Sequence, residues 1–297
     1  MAGSGFIYNT RRKCQAIAAK VLRKEFLNKV YTKLICGYKP NIKNPKTFNE
    51  KIQWLKLYYF PNNPKAIAMT DKVQIHKVIE EMGIDVKLPN LLFESTSYKD
   101  IPWDNLPDKF VLKCNHGCAY NIVCVDKNSL NKKKATKKIK KWLKENFGLF
   151  NIEPHYSKIK RKVFAEEYLG EELIDYKFFC FNGEPKFLYV SKDLVHDSTA
   201  QISYFDLNWQ RLPLVRDDYK PIDNIDKPSC FNKLIELSKQ LSKDFPFVRV
   251  DFYVIHGKPY LSEMTFTPSA GMMPINPRRF DREWGDLLNI SNLASKF

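Results

Sequence analysis

The chain has 297 residues, 44% of them hydrophobic and 28% charged, a globular profile that excludes a disordered chain. Lysine and arginine total 49 against 33 acids, and the net charge of +16 points to acidic partners: a nucleotide, a polyanionic glycan, anionic lipid or nucleic acid. Seven cysteines show no pairing pattern, no apolar run nears the ~18 residues of a membrane span, and no apolar core follows Arg11, Arg12 and Lys13, so a disulfide scaffold, a membrane-spanning protein and a secretory signal are all excluded and a reducing cytoplasm is expected.

Between residues 10 and 37, Ile17, Val21, Leu22, Phe26, Val30, Leu34 and Ile35 recur at helical spacing, with Lys and Arg on the other side. A basic amphipathic helix can lie on an anionic membrane surface. Packing on a domain is commoner and is expected here, with peripheral membrane association as the upper limit. Gly37 and Pro40 end the helix. In NIKNPKTFNEKIQWLKLYYF, Thr47 and Glu50 read as a capping box that starts a helix through Ile52, Leu55 and Tyr59. Pro61 and Pro64 stop it. Residues 71 to 82 form a further helix, ended by Gly83, and 86 to 103 are short strands and loops.

KFVLKCNHGCAYNIVCVDK (109–127) reads as strand, loop, strand. Lys113 ends an apolar strand, and a buried lysine there requires an anionic partner. The loop from Asn115 to Asn121 holds small and amide residues, and its N–H groups could cover a phosphate chain, although the pattern is far from a Walker loop. Cys114, His116 and Cys118 lack zinc-ligand spacing. The lysine-rich helix of residues 130 to 147 reads as a solvated face. It lacks the interleaved aromatics of a single-strand nucleic-acid platform, so no nucleic-acid partner is expected. Residues 162 to 193 give a strand, a connector and a hairpin turning at Asn182-Gly183, with Lys177 on the face of Asp175. A second hairpin, a helix over 230–243 and a terminal helix over 278–289 complete the chain. No internal repeat and no low-complexity linker is present.

Residues 247 to 268, FVRVDFYVIHGKPYLSEMTFTP, carry the strongest chemical signal. Val248, Val250, Phe252 and Val254 alternate with Arg249, Asp251 and Tyr253, the period of a half-buried strand. A three-residue loop over His256, Gly257 and Lys258 places Asp251 directly across from Glu263, with Cβ atoms roughly 4.5–5.5 Å apart. Carboxylates that close repel, and a divalent cation turns the repulsion into binding. Oxygen-only ligands suit magnesium. A solvated polar hairpin face with a slipped register accounts for the spacing about as well.

In order, then, stand a strand lysine (Lys113), a phosphate-covering loop, Glu166-Glu167-Tyr168-Leu169, Asp175-Tyr176-Lys177, Arg249-Val250-Asp251 and Glu263-Met264-Thr265. This set resembles the ATP-grasp superfamily, α+β enzymes that clamp ATP between two subdomains and make an acyl phosphate for an amine to attack. More narrowly it resembles the TupA-like ATP-grasp family of bacterial surface-polysaccharide biosynthesis, over about residues 40 to 290, through NPKTFNEKIQWLKLY, TDKVQIHK, FVLKCNHG and EMTFTPSAGM. The resemblance implies an ATP-grasp fold with a helical N-terminal extension (1–65), a preceding segment (66–107), a small subdomain with the phosphate loop (108–165) and a large subdomain (166–297). It implies that Lys113 contacts the α-phosphate and that the loop with Asn115, His116 and Gly117 covers the β- and γ-phosphates. The backbone around Glu166, Glu167 and Leu169 would hold adenine, and Glu172 the ribose. Lys177 would face phosphate or substrate. Asp251, Glu263 and Thr265 would carry Mg2+, Arg249 would stabilise the transition state, and Ser269, Gly271 and Met272 would line the acceptor site. Thr265 stands where the family has asparagine, and Cys118, Ala119 and Tyr120 make the phosphate loop poor in glycine.

The expected reaction joins a uronic-acid carboxylate, on a nucleotide sugar or an acidic polysaccharide precursor, to a small amine or amino acid, giving ADP and phosphate. One alternative is a glycosyltransferase, which needs a DxD-like acidic pair; none stands out, since Asp217-Asp218 lies in a Pro-flanked, loop-like stretch. The other is a non-catalytic module for acidic glycan or nucleic acid, which has no need of opposed carboxylates at 251 and 263.

Overall fold

The computed structural model describes residues 5–171, 173–192, 200–213 and 219–294. Two antiparallel sheets organise them. The first has strand order β1-β4-β2-β3, from β1 (Leu91–Ser95), β2 (Phe110–Cys114), β3 (Asn121–Cys124) and β4 (Val163–Glu167). Phe110, Leu112, Val163 and Ala165 bury against Ile139 of the basic helix, here Lys132–Lys144. Only Ala135 and Ile139 of that helix are fully buried, four residues apart on one face, so most of its lysines stay in water. The sheet takes in β1 from the segment 66–107, and β4 crosses residue 165.

The second sheet has order β7-β6-β5-β8-β9, from β5 (Asp175–Phe181), β6 (Glu184–Lys192), β7 (Gln201–Asp206), β8 (Phe247–Ile255) and β9 (Lys258–Thr265). Helix Phe231–Ser242 covers one face through Leu234, Leu237 and Leu241. Phe48 and Trp284, from helices Phe48–Trp54 and Arg279–Leu287, cover part of the other, with ring centroids 5.0 Å from Phe247 and 5.7 Å from Phe179 respectively. The β8 strand is therefore buried on both faces over most of its length, not half-solvated.

The Asp251–Glu263 register is the expected one, reached by a different route. His256 and Gly257 alone form the turn, both with positive φ (49° and 73°), which a type I′ turn demands and glycine tolerates without strain. That two-residue turn pairs Ile255 with Lys258 and sets the register one residue away. A bulge between Asp251 and Phe252, absorbing Ser262, shifts it back.

Two further expectations are corrected. The helix through Tyr59 ends at Trp54, after the capping box of Thr47 and Glu50. It continues as a π-helical turn (Leu55–Tyr59) and a 3-10 turn (Phe60–Asn62), where Pro61 has no N–H to extend the ladder. The N-terminal helix is two, α1 (Gly5–Val21) and α2 (Lys24–Cys36), joined at Leu22 and Arg23. Six of the seven apolar positions expected to pack on a domain are exposed; Val30 is half-buried. No helix among the described residues is long and apolar enough to cross a membrane. Glu172 and Asp217-Asp218 lie outside the described residues.

Candidate active site

Alternation along β5 and β8 builds the site. Asp175, Lys177, Phe179 and Phe181 share one face of β5; Phe247, Arg249, Asp251 and Tyr253 share the same face of the neighbouring β8. The face grades from an aromatic end, packed under Phe48 and Trp284, to an ionic end. Across the ionic end, Lys177 opposes Asp251 and Asp251 opposes Glu263; in the next row Arg249 opposes Thr265.

Asp251 is fully buried, and protein cations meet its charge. Arg249 forks onto it, Nε to Oδ1 at 2.7 Å and a terminal nitrogen to Oδ2 at 2.6 Å; Lys177 Nζ reaches Oδ2 at 3.1 Å and Asp175 Oδ1 at 2.8 Å. Burial works against the Lys177 ammonium, but Asp175 and Asp251 raise its pKa well above the ordinary value. Arg249 also donates to Thr265 Oγ1 at 3.0 Å, and the Thr265 hydroxyl donates to Glu263 Oε1 at 3.3 Å. The repulsion between the opposed carboxylates is thus answered inside the protein, and the geometry alone requires no metal to relieve it.

Glu263 faces a cavity of about 160 Å³ between the two sheets. Lys72, Lys113 and Lys177 line it from three separate elements, together with Asp175 and the loop from Gly117 to Asn121. Lys72 Nζ lies 3.2 Å from Glu263 Oε2. Burial raises the Glu263 pKa, yet Lys72, then Lys177 and Arg249, hold it well below the carboxylate range. Lys72 has no assigned role in the sequence reading, although TDKVQIHK contains it. Its position follows from Asp71. That carboxylate accepts from the N–H groups of Val73 and Gln74 at the start of helix Gln74–Glu81, and from Asn115 Nδ2 at 2.9 Å. One capping aspartate ties the helix start to the phosphate loop and leaves the next residue over the cavity. A lysine directly after a capping aspartate was the available signal.

The structure brings some expected residues to the cavity and not others. Gly117 lines it, and a Cβ there would stand 2.7–2.9 Å from ring atoms of Phe147 and Tyr120, so only glycine fits. Asn115 and His116 are buried behind the loop: Asn115 bonds Asp71 and the Lys160 carbonyl, and His116 Nε2 bonds the Trp142 carbonyl at 3.1 Å. The positive φ of the loop falls on Ala119 (58°), not on Tyr120. Tyr120 instead donates to Glu145 and stacks on Trp142. Lys113 pairs with Glu166, which is in β4 rather than a hinge. The Glu167 N–H goes to the Asn90 carbonyl, so that group is not open to adenine; Leu169 follows the strand, half-buried. Gly271 and Met272 are buried, with the Gly271 carbonyl taken by Gln53, and only Ser269 of the acceptor set is exposed. Among the described residues no group of three or more His, Cys, Asp and Glu forms a metal cluster.

Two buried histidines set an acid limit. Burial lowers His116 to about 4; burial and then Lys56 lower His155 to about 3. Unfolded, each protonates near ~6.5. As pH falls below that value only the unfolded chain gains these protons, so stability drops, by up to ~1.4 kcal/mol per pH unit for each histidine, until the folded values are reached. Urea titrations at pH 7 and 5 should show the loss, and His155→Phe should reduce its slope; an unchanged slope would contradict the assignment.

The family described as TupA-like ATPgrasp matches residues 50–289. The chain belongs to the TupA-like ATP-grasp family. It is accordingly an α+β ATP-grasp protein, with a helical region before the matched span. Solved structures similar to this TupA-like chain include a D-alanine–D-alanine ligase from Bacillus anthracis (18% identity, 78% of this chain and 69% of that one, TM-score 0.45). A D-alanyl-alanine synthetase A from Vibrio cholerae O1 biovar eltor str. N16961 is 12% identical, over 77% and 66%, with TM-score 0.45. An N5-carboxyaminoimidazole synthase from Aspergillus clavatus, in complex with ADP and 5-aminoimidazole ribonucleotide, is 11% identical, over 68% and 45%, with TM-score 0.42. No curated protein matches the sequence.

Proposed function

We propose that this enzyme forms an amide between a uronic-acid carboxylate, on a nucleotide sugar or acidic polysaccharide precursor, and a small amine or amino acid in the cytoplasm, through an acyl phosphate. The observation that carries the reading is the convergence of Lys72, Lys113 and Lys177 on one cavity beside Glu263. Three cations from separate elements suit a triphosphate, and the cavity's 160 Å³ suits that end of ATP rather than the whole nucleotide. Adenine would lie toward Tyr168 and Leu169, Glu172 would bind the ribose, and Ser269 would reach the acceptor.

The donor set fits magnesium, which takes one or two carboxylates and fills its shell with phosphate oxygens and water. Glu263 opens to the cavity; Asp251, behind it, would join only if Arg249 or Lys177 released an oxygen, and Thr265 stays engaged with both neighbours. When bound, the ion would supply positive charge to the transferring phosphoryl oxygens. The chain's own residues do the rest. Lys113 and Lys72 exchange their carboxylate partners for phosphate. Arg249, held in place by Asp251, offers fixed charge where negative charge develops. A substrate carboxylate oxygen attacks the γ-phosphorus as the bond to ADP breaks. The amine nitrogen then attacks the acyl carbon, loses a proton, and phosphate departs with the former carboxylate oxygen.

That route fixes where one atom goes. With both carboxylate oxygens of the uronate labelled, one label should appear in inorganic phosphate and one in the amide, with ADP as co-product. Label in AMP would mean adenylation. Sugar transfer with unlabelled phosphate would mean a glycosyltransferase.

A further inference from the structure

Leu27 and Ala16 pack the N-terminal helices onto the domain, but several of their larger apolar side chains face water. Ile17 and Val21 of α1 are 64% and 78% exposed, and Phe26 and Leu34 of α2 are 55% and 77% exposed. Single exposed apolar residues need no explanation; a contiguous set marks an interaction surface. The set is tightest at the corner between the helices. From Lys20 to Phe26 every residue except Glu25 is exposed, so Val21, Leu22 and Phe26 interleave with Lys20, Arg23 and Lys24. Glu25, the one acid there, is bonded by the Tyr58 hydroxyl. Between residues 11 and 35 the sequence has eight Lys or Arg and a single acid.

The corner adjoins a second basic feature. α1 and the helix Lys132–Lys144 enclose a groove of about 940 Å³, with Lys13 and Lys20 on one wall, Lys137, Lys141 and Lys144 on the other, and Arg161; its one acid, Glu145, pairs with Arg12 and Lys141. Lys20 belongs to both the corner and the groove, so the two sets of cations adjoin. Charge selects the occupant. A second copy of this chain would bring the same excess of positive charge to the contact. Protein–protein interface cores are depleted in lysine. A soluble polyanion has no use for exposed Val21, Leu22 and Phe26. An anionic bilayer uses both features, headgroups for the cations and the acyl boundary for the apolar tip.

We propose that the α1–α2 corner docks this enzyme on an anionic membrane surface, with Val21, Leu22 and Phe26 entering the headgroup region and the groove lysines gathering anionic headgroups. Docking here means lying on the membrane, since no described helix can span it. Co-sedimentation of the full chain with vesicles tests the proposal. Phosphatidylcholine vesicles should leave the protein in the supernatant, and vesicles of phosphatidylcholine with phosphatidylglycerol should sediment it, less so as salt rises. Replacing Lys20, Arg23 and Lys24 together with Ala should weaken partitioning about a hundredfold, at about fivefold per charge. The pair Leu22→Ser and Phe26→Ser should weaken it at least about tenfold. All five side chains are exposed, so circular dichroism should show both variants folded. Failure of the wild type to bind anionic vesicles overturns the proposal. So does unchanged binding by the Leu22/Phe26 variant, which would mean a purely electrostatic film. Self-association of the wild type that this variant abolishes, without vesicle binding, would assign the surface to a second copy instead.

Discussion

Asp251→Asn should remove turnover and roughly 3–5 kcal/mol of stability, whereas Glu263→Gln should remove turnover at a clearly smaller cost in stability. The two carboxylates face each other across β8 and β9, so a reading from spacing alone treats them alike and expects both variants to stay folded, repulsion being all that is lost. Their surroundings differ. Asp251 is fully buried and is the common partner of Arg249 and Lys177. Neutralising it leaves two buried cations with one nearby acid, Asp175, and partial pairing from Glu263. Glu263 keeps 27% of its side chain exposed, so water can solvate what its loss leaves behind. Denaturant unfolding and ADP release, measured on the same preparations, separate the effects. Equal stability of the two variants would mean that Asp251 is not the keystone of the ionic face, and full ADP release from either would remove it from the machinery.

The contrast shows what a sequence can carry. Alternation in FVRVDFYVI and the capping box at Thr47 are local patterns; the cap appears in the structure as read, and the alternation marks a strand, though one buried on both faces. Lys177 opposite Asp251 is a pairing between strands far apart in the chain, and no local period encodes it. The register at Glu263 came out as expected only because two departures cancel, a shorter turn and a bulge at Ser262 that leaves no mark in the sequence. Asn115 and His116 read as phosphate-loop residues because they sit in the loop. Their side chains turn back to Asp71 and Trp142, whose proximity depends on the packing of helices outside the motif. The N-terminal helices show the limit most plainly: periodicity identifies an apolar stripe but cannot say what covers it.

Lys72→Met should weaken ATP binding by roughly 1.5–3 kcal/mol, the value of a charge-assisted contact, while unfolding stability changes by no more than about 1 kcal/mol. Lys72 stands at a helix start outside both strands of the hairpin, yet its ammonium reaches the cavity floor at Glu263. Its pKa is raised: burial lowers it, and Glu263 more than reverses the loss. In the free enzyme the ammonium is therefore charged and already partnered, and a phosphate must compete with Glu263 for it. That competition predicts opposite signs for two variants when magnesium is chelated. Lys72→Met loses the cation and binds ATP more weakly; Glu263→Gln releases the cation and binds ATP more tightly, though it cannot turn ATP over. Calorimetric titration of ATP in chelator reads both signs directly. Equal weakening in both variants would mean that Glu263 positions Lys72 for the phosphate rather than competing for it. Unchanged affinity in Lys72→Met would leave the pair as a tie between the N-terminal segment and the large sheet, with no contact to nucleotide.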